Sequence, residues 1–361
     1  MKIFQVIQKP QKRGAELFAV QLSEELIRLG HEVILISVFE GIEALSFSGR
    51  QINLDRPIQS RLWDWKGWKT FAEWVKKEQP DIIQANAGDT LKFTVLSRLF
   101  FGWNTPLVFR NASQMSRYFT SPLIKSYNCF LLSHVEGIAS VSLNSQEDLF
   151  TFFKPRRTKL KVIPIGVNPI SDMTGVDDGE NKELVHIGGF TFEKNHAELL
   201  DIFQRLLKVD SDFQLILIGD GPLKSQIEDQ VKTMDLEAKV NFLGNVSRPF
   251  SHISKNAILL LPSKIEGLPA VILEAMVHHI SAIAYGVGGI PEVLKTGETG
   301  WCIPSNDSQA FIQAIQEVVT MPQEAKQIIL DQAHQLVCTH YSLPQVSLQF
   351  EQFYKSLLKQ N

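Results

Sequence analysis

A short apolar run followed by a turn and a helix is the feature of this sequence that most restricts its fold. Residues 257–261 are all apolar and fit the length of one buried strand. Gly267 allows the backbone to turn, and Pro269 suits the first position of a helix because its missing N–H needs no partner there. The pattern therefore predicts Glu266 on a loop at the carboxyl end of a strand, where open α/β sheets place ligands, and Glu274 within the following helix.

The spacing of these two glutamates restricts their chemistry. Seven residues separate Glu266 from Glu274, which does not suit a general acid–base pair. The spacing suits two hydrogen-bond acceptors for different parts of one hydroxyl-rich ligand, with helix-terminal amides between them available to an anion. It also fits Glu266 as a helix cap and Glu274 as a solvated helix residue, and spacing alone leaves both interpretations open.

The motif Glu-Gly-Leu-Pro-x-x-x-x-Glu-Ala, which begins at Glu266, resembles the signature of the retaining glycosyltransferases of family 4. The resemblance implies an α/β fold with two Rossmann-like domains facing across a cleft, the GT-B fold, whose C-terminal helix crosses back to the first domain. It also implies that Glu266 is catalytic and lies beside the donor sugar. Backbone amides from Gly267 onward would bind the donor's sugar or phosphate oxygens, in a donor site that also includes Leu268 and Pro269. Glu274 would accept from the ribose hydroxyls.

A glycine-rich loop early in the second half extends the resemblance. The family usually has Gly-Arg-x-x-x-x-x-Lys after this strand, with both basic side chains on the donor diphosphate. Lys194 matches the lysine, which implies that it stabilises charge on the leaving diphosphate. Gly189 occupies the arginine position, so one expected phosphate partner is absent from the pattern.

Two further loops resemble those that lie beside the nucleotide base in the family. Asp220 follows one predicted strand, and Leu243 and Val246 lie at the end of the next. Asp220 fits nucleotide binding or the stabilisation of a turn, and its residue type does not decide between them.

The first half opens with the strand, loop, helix and strand order of a Rossmann domain. It lacks Gly-x-Gly-x-x-Gly, so a nicotinamide cofactor is poorly supported. Family members often have Gly-Gly-Ala-Glu where this chain has Arg-Gly-Ala-Glu from Arg13 to Glu16. Gly14 would let the backbone approach the diphosphate or the acceptor, and Arg13 adds a positive charge.

Polar residues after two later strands are the remaining acceptor candidates. Gln84 stands where the family frequently has histidine, so Asn86 is the polar contact we expect there. Arg110 and Asn111 follow the next predicted strand and should face the ligand crevice. With Arg13, these residues form the predicted acceptor site.

Tryptophans and lysines crowd into one segment of the first half. Aromatic side chains beside cations are typical of segments that lie in a lipid headgroup layer. Trp68, Phe71 and Val75 recur at helical spacing and are predicted to belong to the core, whereas Trp63 and Trp65 fit either environment.

The charge distribution is asymmetric although the net charge is only −3. Residues 1–165 contain 22 Lys or Arg against 15 Asp or Glu, and residues 166–361 contain 14 against 24. The basic half predicts an anionic partner, such as a phospholipid surface or a phosphorylated acceptor, although two solvated surfaces are the alternative. Nucleic acid is not expected, because no recognition module accompanies the basic residues.

Length, cysteine usage and hydropathy set the broad class. The length predicts two domains, and no apolar run is long enough to cross a membrane or to form a signal peptide. Three widely spaced cysteines lack metal-ligand spacing and fit a reducing compartment. We therefore expect a cytoplasmic protein, with peripheral contact to the inner face of the membrane as an option.

Together these features predict four segments. They are an acceptor-binding domain over 1–168, a linker over 169–182, a nucleotide-sugar domain over 183–341, and a helix over 342–361 that packs back on the first domain. No cofactor or metal is expected.

The predicted activity is transfer of a sugar, with retention, from a UDP- or GDP-sugar to a glycan or lipid-linked acceptor in cell-surface polysaccharide or glycolipid synthesis. A two-carboxylate glycosidase is not supported by the carboxylate spacing. The alternatives are a nucleotide-sugar epimerase of the same fold and a degenerate, non-catalytic binding protein. Gly189 and Gln84 keep the second alternative open, whereas Glu266, Lys194 and Glu274 argue against it.

Overall fold

The computed structural model describes residues 1–11, 13–41, 43–118, 121–155, 158–169 and 182–359. The chain divides into two compact units, Met1–Gly166 with Leu343–Asn361, and Val167–Ser342. Each unit is a parallel sheet with helices packed on it, so the α/β class with two Rossmann-like domains is confirmed. The predicted linker over 169–182 lies, apart from its two end residues, outside the described part of the chain.

The first unit is built on a parallel sheet with the order β3-β2-β1-β4-β5-β6-β7 among the described residues. Its strands are β1 (Lys2–Ile7), β2 (Glu32–Phe39), β3 (Arg50–Arg56), β4 (Ile82–Ala85), β5 (Leu107–Asn111), β6 (Gly137–Ser140) and β7 (Lys159–Val162). The helices between them are α1 (Gly14–Arg28), α2 (Trp65–Glu78), α3 (Gly88–Phe101), α4 (Pro122–Leu132) and α5 (Leu143–Phe153).

The tryptophan-rich segment is divided between the core and the surface. Trp68, Phe71 and Val75 on α2 are buried, as their helical spacing predicts. Trp63 and Trp65, which the spacing left open, are 64% and 47% exposed.

The second unit repeats the same plan with the sheet order β10-β9-β8-β11-β12-β13, in which the described strand pairs are parallel. Its strands are β8 (Lys182–Ile187), β9 (Phe213–Ile218), β10 (Val240–Gly244), β11 (Ile258–Leu261), β12 (Ser281–Tyr285) and β13 (Trp301–Ile303). Its helices are α6 (His196–Leu207), α7 (Lys224–Thr233), α8 (Ala270–Val277), α9 (Ile290–Val293), α10 (Ser308–Thr320) and α11 (Gln323–Leu336).

The last helix, α12 (Leu343–Leu358), belongs to the first unit, where it contacts α1. Its Tyr354 is fully buried and joins a polar network on β1 and β4. The Tyr354 hydroxyl donates to Gln84 Oε1 at 2.6 Å and accepts from Gln5 Nε2 at 3.3 Å. Asn86 Nδ2 donates to Gln5 Oε1 at 2.9 Å, and Gln84 Nε2 donates to Asn86 Oδ1 at 2.9 Å. The network therefore satisfies buried amides that would otherwise destabilise the core.

None of the helices within the described ranges is both long enough and apolar enough to cross a bilayer.

Removing the Tyr354 hydroxyl should destabilise the first unit. We expect Tyr354→Phe to lower the free energy of unfolding by about 1–3 kcal/mol, because Gln84 Oε1 loses its buried donor. Urea unfolding followed by tryptophan fluorescence measures this, since five of the six tryptophans lie between residues 63 and 103.

Tyr127→Phe is the matched control, because Tyr127 on α4 is 40% exposed. Equal stability of Tyr354→Phe and Tyr127→Phe would show that the network contributes nothing to the fold.

Candidate active site

Lys194 and Glu266 lie on two loops that leave neighbouring strands of the second sheet. Lys194 follows β8 and Glu266 follows β11, and these two strands pair directly. The strands that come between them in sequence, β9 and β10, lie on the opposite side of β8. This is the point where the strand order reverses, and ligands of open α/β sheets bind outside the carboxyl ends of the strands there.

The two side chains form an ion pair. Lys194 Nζ donates to Glu266 Oε1 at 2.6 Å, and the two side chains are only 20% and 9% exposed. The loops are also joined through the backbone, because Lys264 N–H donates to Glu193 O at 2.8 Å. Glu266 does not cap the following helix: the N-cap residue of α8 is Pro269, and the Glu266 carboxylate accepts from Lys194. The helix-cap alternative is therefore wrong.

A glycine-rich turn after β12 supports the Glu266 loop from the other side. Gly288 has φ +59°, and a Cβ atom there would lie 2.0 Å from the Glu266 carbonyl oxygen. Gly289 N–H donates to the Gly267 carbonyl oxygen at 2.5 Å. The sequence analysis assigned no role to Gly288, although three glycines within four residues after a buried strand are a signal of close backbone approach.

The Lys194 loop itself depends on another close approach. The Lys194 stem passes over Gly188, where an added Cβ atom would lie 3.3 Å from Lys194 Cε. A Cβ atom on Gly219, which has φ +140°, would lie 2.0 Å from the Gly188 carbonyl oxygen. Gly189 is less restricted, because an added Cβ atom would meet its first neighbour, the Asp220 carbonyl oxygen, at 3.5 Å.

The predicted base-side residues lie beside this loop. Asp220 is exposed, and its Oδ1 accepts from Gly221 N–H at 2.6 Å, which is the turn-stabilising role. Its backbone oxygen accepts from Phe190 N–H at 3.0 Å, which joins the two loops. Leu243 and Val246 are half-buried, the first on β10 and the second just after it.

Helix α8 begins one residue later than predicted. Pro269 is the N-cap, with extended backbone, and not the first helical residue, because Ala270 starts the helix. Gly267, Leu268 and Pro269 are all buried.

Glu274 on α8 is half-buried, so it is not the freely solvated residue that its spacing also allowed. Burial raises the pKa of its carboxyl group to about 7, and no hydrogen-bond donor among the described side chains pairs with it. A half-buried carboxylate without a donor of its own is available to accept a hydrogen bond from a ligand.

Two buried histidines beneath Lys194 are features that the sequence analysis passed over. The rings of His186 and His196 lie 4.5 Å apart, and His196 stacks on Phe190. His186 Nδ1 contacts Leu260 O at 2.8 Å, whereas His186 Nε2 and both ring nitrogens of His196 have no hydrogen-bond partner among the described residues. Burial lowers the pKa of His196 to about 4, so the ring is neutral near pH 7. The sequence signal that could have identified these histidines is their position, near the end of one predicted strand and at the start of the next helix.

The acceptor candidates lie at the carboxyl edge of the first sheet. Arg13 and Gly14 are exposed at the start of α1, whereas Asn86, Arg110 and Asn111 are buried. The side-chain amide of Asn86 is committed to the network around Tyr354. Asn111 Nδ2 donates to Ser145 O at 3.1 Å, and Asn111 Oδ1 is unpaired.

An open depression in the first unit is a separate feature. It has a volume of about 340 Å³ and is lined by Gln114, Ser116, Asn144, Glu147, Asp148, Thr151 and Phe152. None of these belongs to the predicted site.

Known families match nearly the whole chain. The model described as Glycosyltransferase Family 4 matches residues 12–170, and that described as Glycosyl transferases group 1 matches residues 174–333. The chain belongs to the family 4 glycosyltransferases.

This glycosyltransferase has relatives of similar length. It is 24% identical over 368 residues to N-acetyl-alpha-D-glucosaminyl L-malate synthase of Bacillus anthracis, covering 97% of this chain and 96% of that protein. It is also 24% identical over 340 residues, 91% of this chain and 92% of the other, to the Campylobacter jejuni GalNAc-alpha-(1->4)-GalNAc-alpha-(1->3)-diNAcBac-PP-undecaprenol alpha-1,4-N-acetyl-D-galactosaminyltransferase.

The fold is shared with a solved structure at lower identity. Anabaena HepE in complex with UDP-glucose superposes with a TM-score of 0.84 and 18% identity, over 99% of this chain and 100% of that one.

The raised pKa of Glu274 predicts a pH dependence of stability. The folded protein holds a proton on Glu274 up to about pH 7, whereas the unfolded chain releases it near the ordinary value of 4.5. Stability should therefore fall as the pH rises from about 4.5 to about 7, by at most about 3 kcal/mol from this group. Chemical unfolding at several pH values measures the effect.

Glu274→Gln is the comparison, because other groups titrate alike in both proteins. The difference in stability between the variant and the wild type should grow with pH across this window. A difference independent of pH would mean that Glu274 titrates normally in the folded protein.

Proposed function

We propose that this glycosyltransferase is a retaining, metal-independent enzyme. It moves a sugar from a UDP- or GDP-sugar to a glycan or lipid-linked acceptor in cell-surface polysaccharide or glycolipid synthesis. The observation that carries the proposal is the Lys194–Glu266 pair at the point where the second sheet reverses its strand order. This retained pair, together with family membership, favours transfer over the epimerase and non-catalytic alternatives.

The proposed reaction breaks the bond between the sugar and the diphosphate, forms one to an acceptor hydroxyl oxygen, and passes the hydroxyl proton to the departing diphosphate. Negative charge then grows on the departing diphosphate, so its stabilisation is the main electrostatic task. We assign this task to Lys194 and to the backbone around Gly267, which starts the turn into α8. Glu266 would hold Lys194 in place and contact the donor sugar.

Charge neutralisation is assigned to Lys194 because its ammonium group contacts Glu266 on the loop that leads into α8. Activity in the presence of EDTA tests this part of the proposal.

The remaining donor contacts follow from the same arrangement. Glu274 would accept from the ribose hydroxyls, and Leu268 and Pro269 would line the path between ribose and phosphate. Asp220, Leu243 and Val246 would surround the base. The loop near Gly189, where an added Cβ atom has no neighbour within 3.4 Å, leaves space for the diphosphate without the usual arginine.

The names of similar proteins agree with this class of substrates. Anabaena HepE was crystallised with UDP-glucose, and the name of the Campylobacter jejuni enzyme gives an undecaprenol-linked glycan as its acceptor.

Two variants should affect nucleotide binding and sugar transfer to different extents. UDP or GDP at roughly 100 times its dissociation constant should stabilise the wild type by about 2.7 kcal/mol, and ADP should not. Lys194→Ala should weaken this stabilisation. Glu266→Gln should keep most of it but lose transfer at least about a hundredfold, since a positioned charge is removed. Thermal unfolding and transfer to a lipid-linked or glycan acceptor are the measurements.

Lys232→Ala is the control, because Lys232 is an exposed lysine on α7. Retention is tested separately by the anomeric configuration of the product. Stabilisation by none of the nucleotides, or equal transfer by Glu266→Gln and wild type, would contradict the proposal.

Membrane contact through the first unit is part of the same proposal. Of the 19 exposed large apolar side chains in the described ranges, 13 lie between residues 58 and 150. We define the aromatic patch as Leu62, Trp63, Trp65 and Phe100. Its rings adjoin one another, since the centre of the Phe100 ring lies 5.8 Å from that of Trp63 and 5.3 Å from that of Trp65. Residues 58–130 also hold ten Lys or Arg against five Asp or Glu. Aromatic side chains set among cations fit an anionic bilayer surface.

Loss of the aromatic patch should weaken vesicle binding. We expect the wild type to sediment with vesicles that contain phosphatidylglycerol and to bind phosphatidylcholine vesicles less. Trp63→Ser combined with Trp65→Ser should weaken binding to the anionic vesicles by about tenfold or more, because two large apolar side chains no longer insert.

Ile328→Ser removes an apolar side chain that is 59% exposed on α11 of the second unit, and it should leave binding unchanged. Binding of the double variant at the level of wild type would rule out the aromatic patch as the contact.

A further inference from the structure

Arg110 is a buried cation without a hydrogen-bonded partner. It lies at the carboxyl end of β5 and is only 2% exposed. Its Nε and Nη1 atoms are fully buried and donate to no partner among the described residues. An uncompensated buried charge is strongly unfavourable, so an arginine kept in this position needs an explanation.

The Arg110 guanidinium lies against the beginning of α1. Its central carbon is 4.2 Å from the centre of the Phe18 ring. Glu16, in the first turn of α1, is buried and interacts with Arg110 electrostatically, but its Oε1 accepts from Gln11 Nε2 at 2.9 Å. Glu16 therefore offsets part of the charge and leaves the guanidinium donors unused.

The start of α1 lies around the same carboxylate, because Glu16 interacts electrostatically with Arg13 as well as with Arg110. Arg13 is the N-cap of this 15-residue helix, and it supplies no side-chain hydrogen bond to the first turn. A Cβ atom added to Gly14, the first residue of the helix, would meet no described atom within 4 Å. Helix-terminal amides and two arginines against one glutamate leave a net positive site.

We propose that Arg110, Arg13 and the first turn of α1 bind an anionic group, a carboxylate or a phosphate, of the sugar acceptor. A guanidinium presents paired donors that match either group. This inference rests on the proposed transfer reaction, because it names the chemical class of the acceptor that the first unit binds. The position of Arg110 at the carboxyl edge of the sheet agrees with a ligand site.

The inference is tested on the full chain with two simple anions, inorganic phosphate and malonate, compared with chloride at equal ionic strength. One of the two should raise the unfolding temperature of the wild type in a saturable way. Arg110→Met should weaken its apparent affinity about ten- to hundredfold, since a charged hydrogen bond is removed. Arg13→Gln, an exposed substitution, should weaken it by less.

A second measurement separates a ligand role from a structural one. Replacing a buried cation, whose charge is only partly offset, with an apolar side chain of similar length should leave the anion-free protein as stable or make it more stable. A merely structural Arg110 would instead give a less stable Arg110→Met protein whose response to the anions is unchanged.

Arg117→Gln is the matched control, because Arg117 is exposed in the same unit, and it should respond as the wild type does. General stabilisation by phosphate as a salt would be equal in all variants and would overturn the inference. Stabilisation by UDP should survive in Arg110→Met. Loss of UDP stabilisation in Arg110→Met would assign the site to the donor. If UDP stabilises the wild type but neither phosphate nor malonate does, the anionic acceptor is refuted and the proposed transfer reaction is not.

Discussion

The ion pair between Lys194 and Glu266 depends on the pairing of β8 with β11, and the rest of the second unit is arranged around it. The two strands are distant in sequence but adjacent in the sheet, so their loops emerge side by side. Gly288 then allows a neighbouring loop to press against the Glu266 carbonyl oxygen. A half-buried pair of this kind contributes little to net stability, but it fixes two side chains in one geometry before any ligand arrives.

The first unit buries polar side chains at the carboxyl edge of its sheet. Gln84 stands where the family frequently has histidine, and the structure gives this residue a clear use. Its amide donates to Asn86 and accepts from Tyr354 at once. A neutral histidine ring also has one donor and one acceptor, but it gains charge within the physiological range, whereas an amide stays neutral at every pH.

Much of the second unit could be predicted from sequence, because apolar runs and a specific motif mark its strands and its site. β11 and β12 are short buried runs, and Glu266 and Lys194 lie on the loops where the motif puts them. Other features gave no local signal. β3 and β7 are edge strands in which exposed residues, many of them charged, alternate with partly or fully buried ones. Their apolar pattern in the sequence is therefore weak. The contact of Gln5 with Tyr354 joins residues 349 positions apart, and no local pattern encodes such a distance. The unpaired state of Arg110 likewise depends on three elements at once.

The placement of α12 has a consequence for the order in which the chain matures during translation. The first unit begins at Met1 but takes its last helix from Leu343 onward, so it remains open on one side while the whole second unit is synthesised. At about 5–20 residues per second this interval lasts on the order of 10–35 s. Throughout that time Gln5 and Gln84 lack the hydrogen bonds that they later make with the Tyr354 hydroxyl. The nascent first unit therefore exposes the surface that α12 later covers, whereas the second unit is contiguous in sequence.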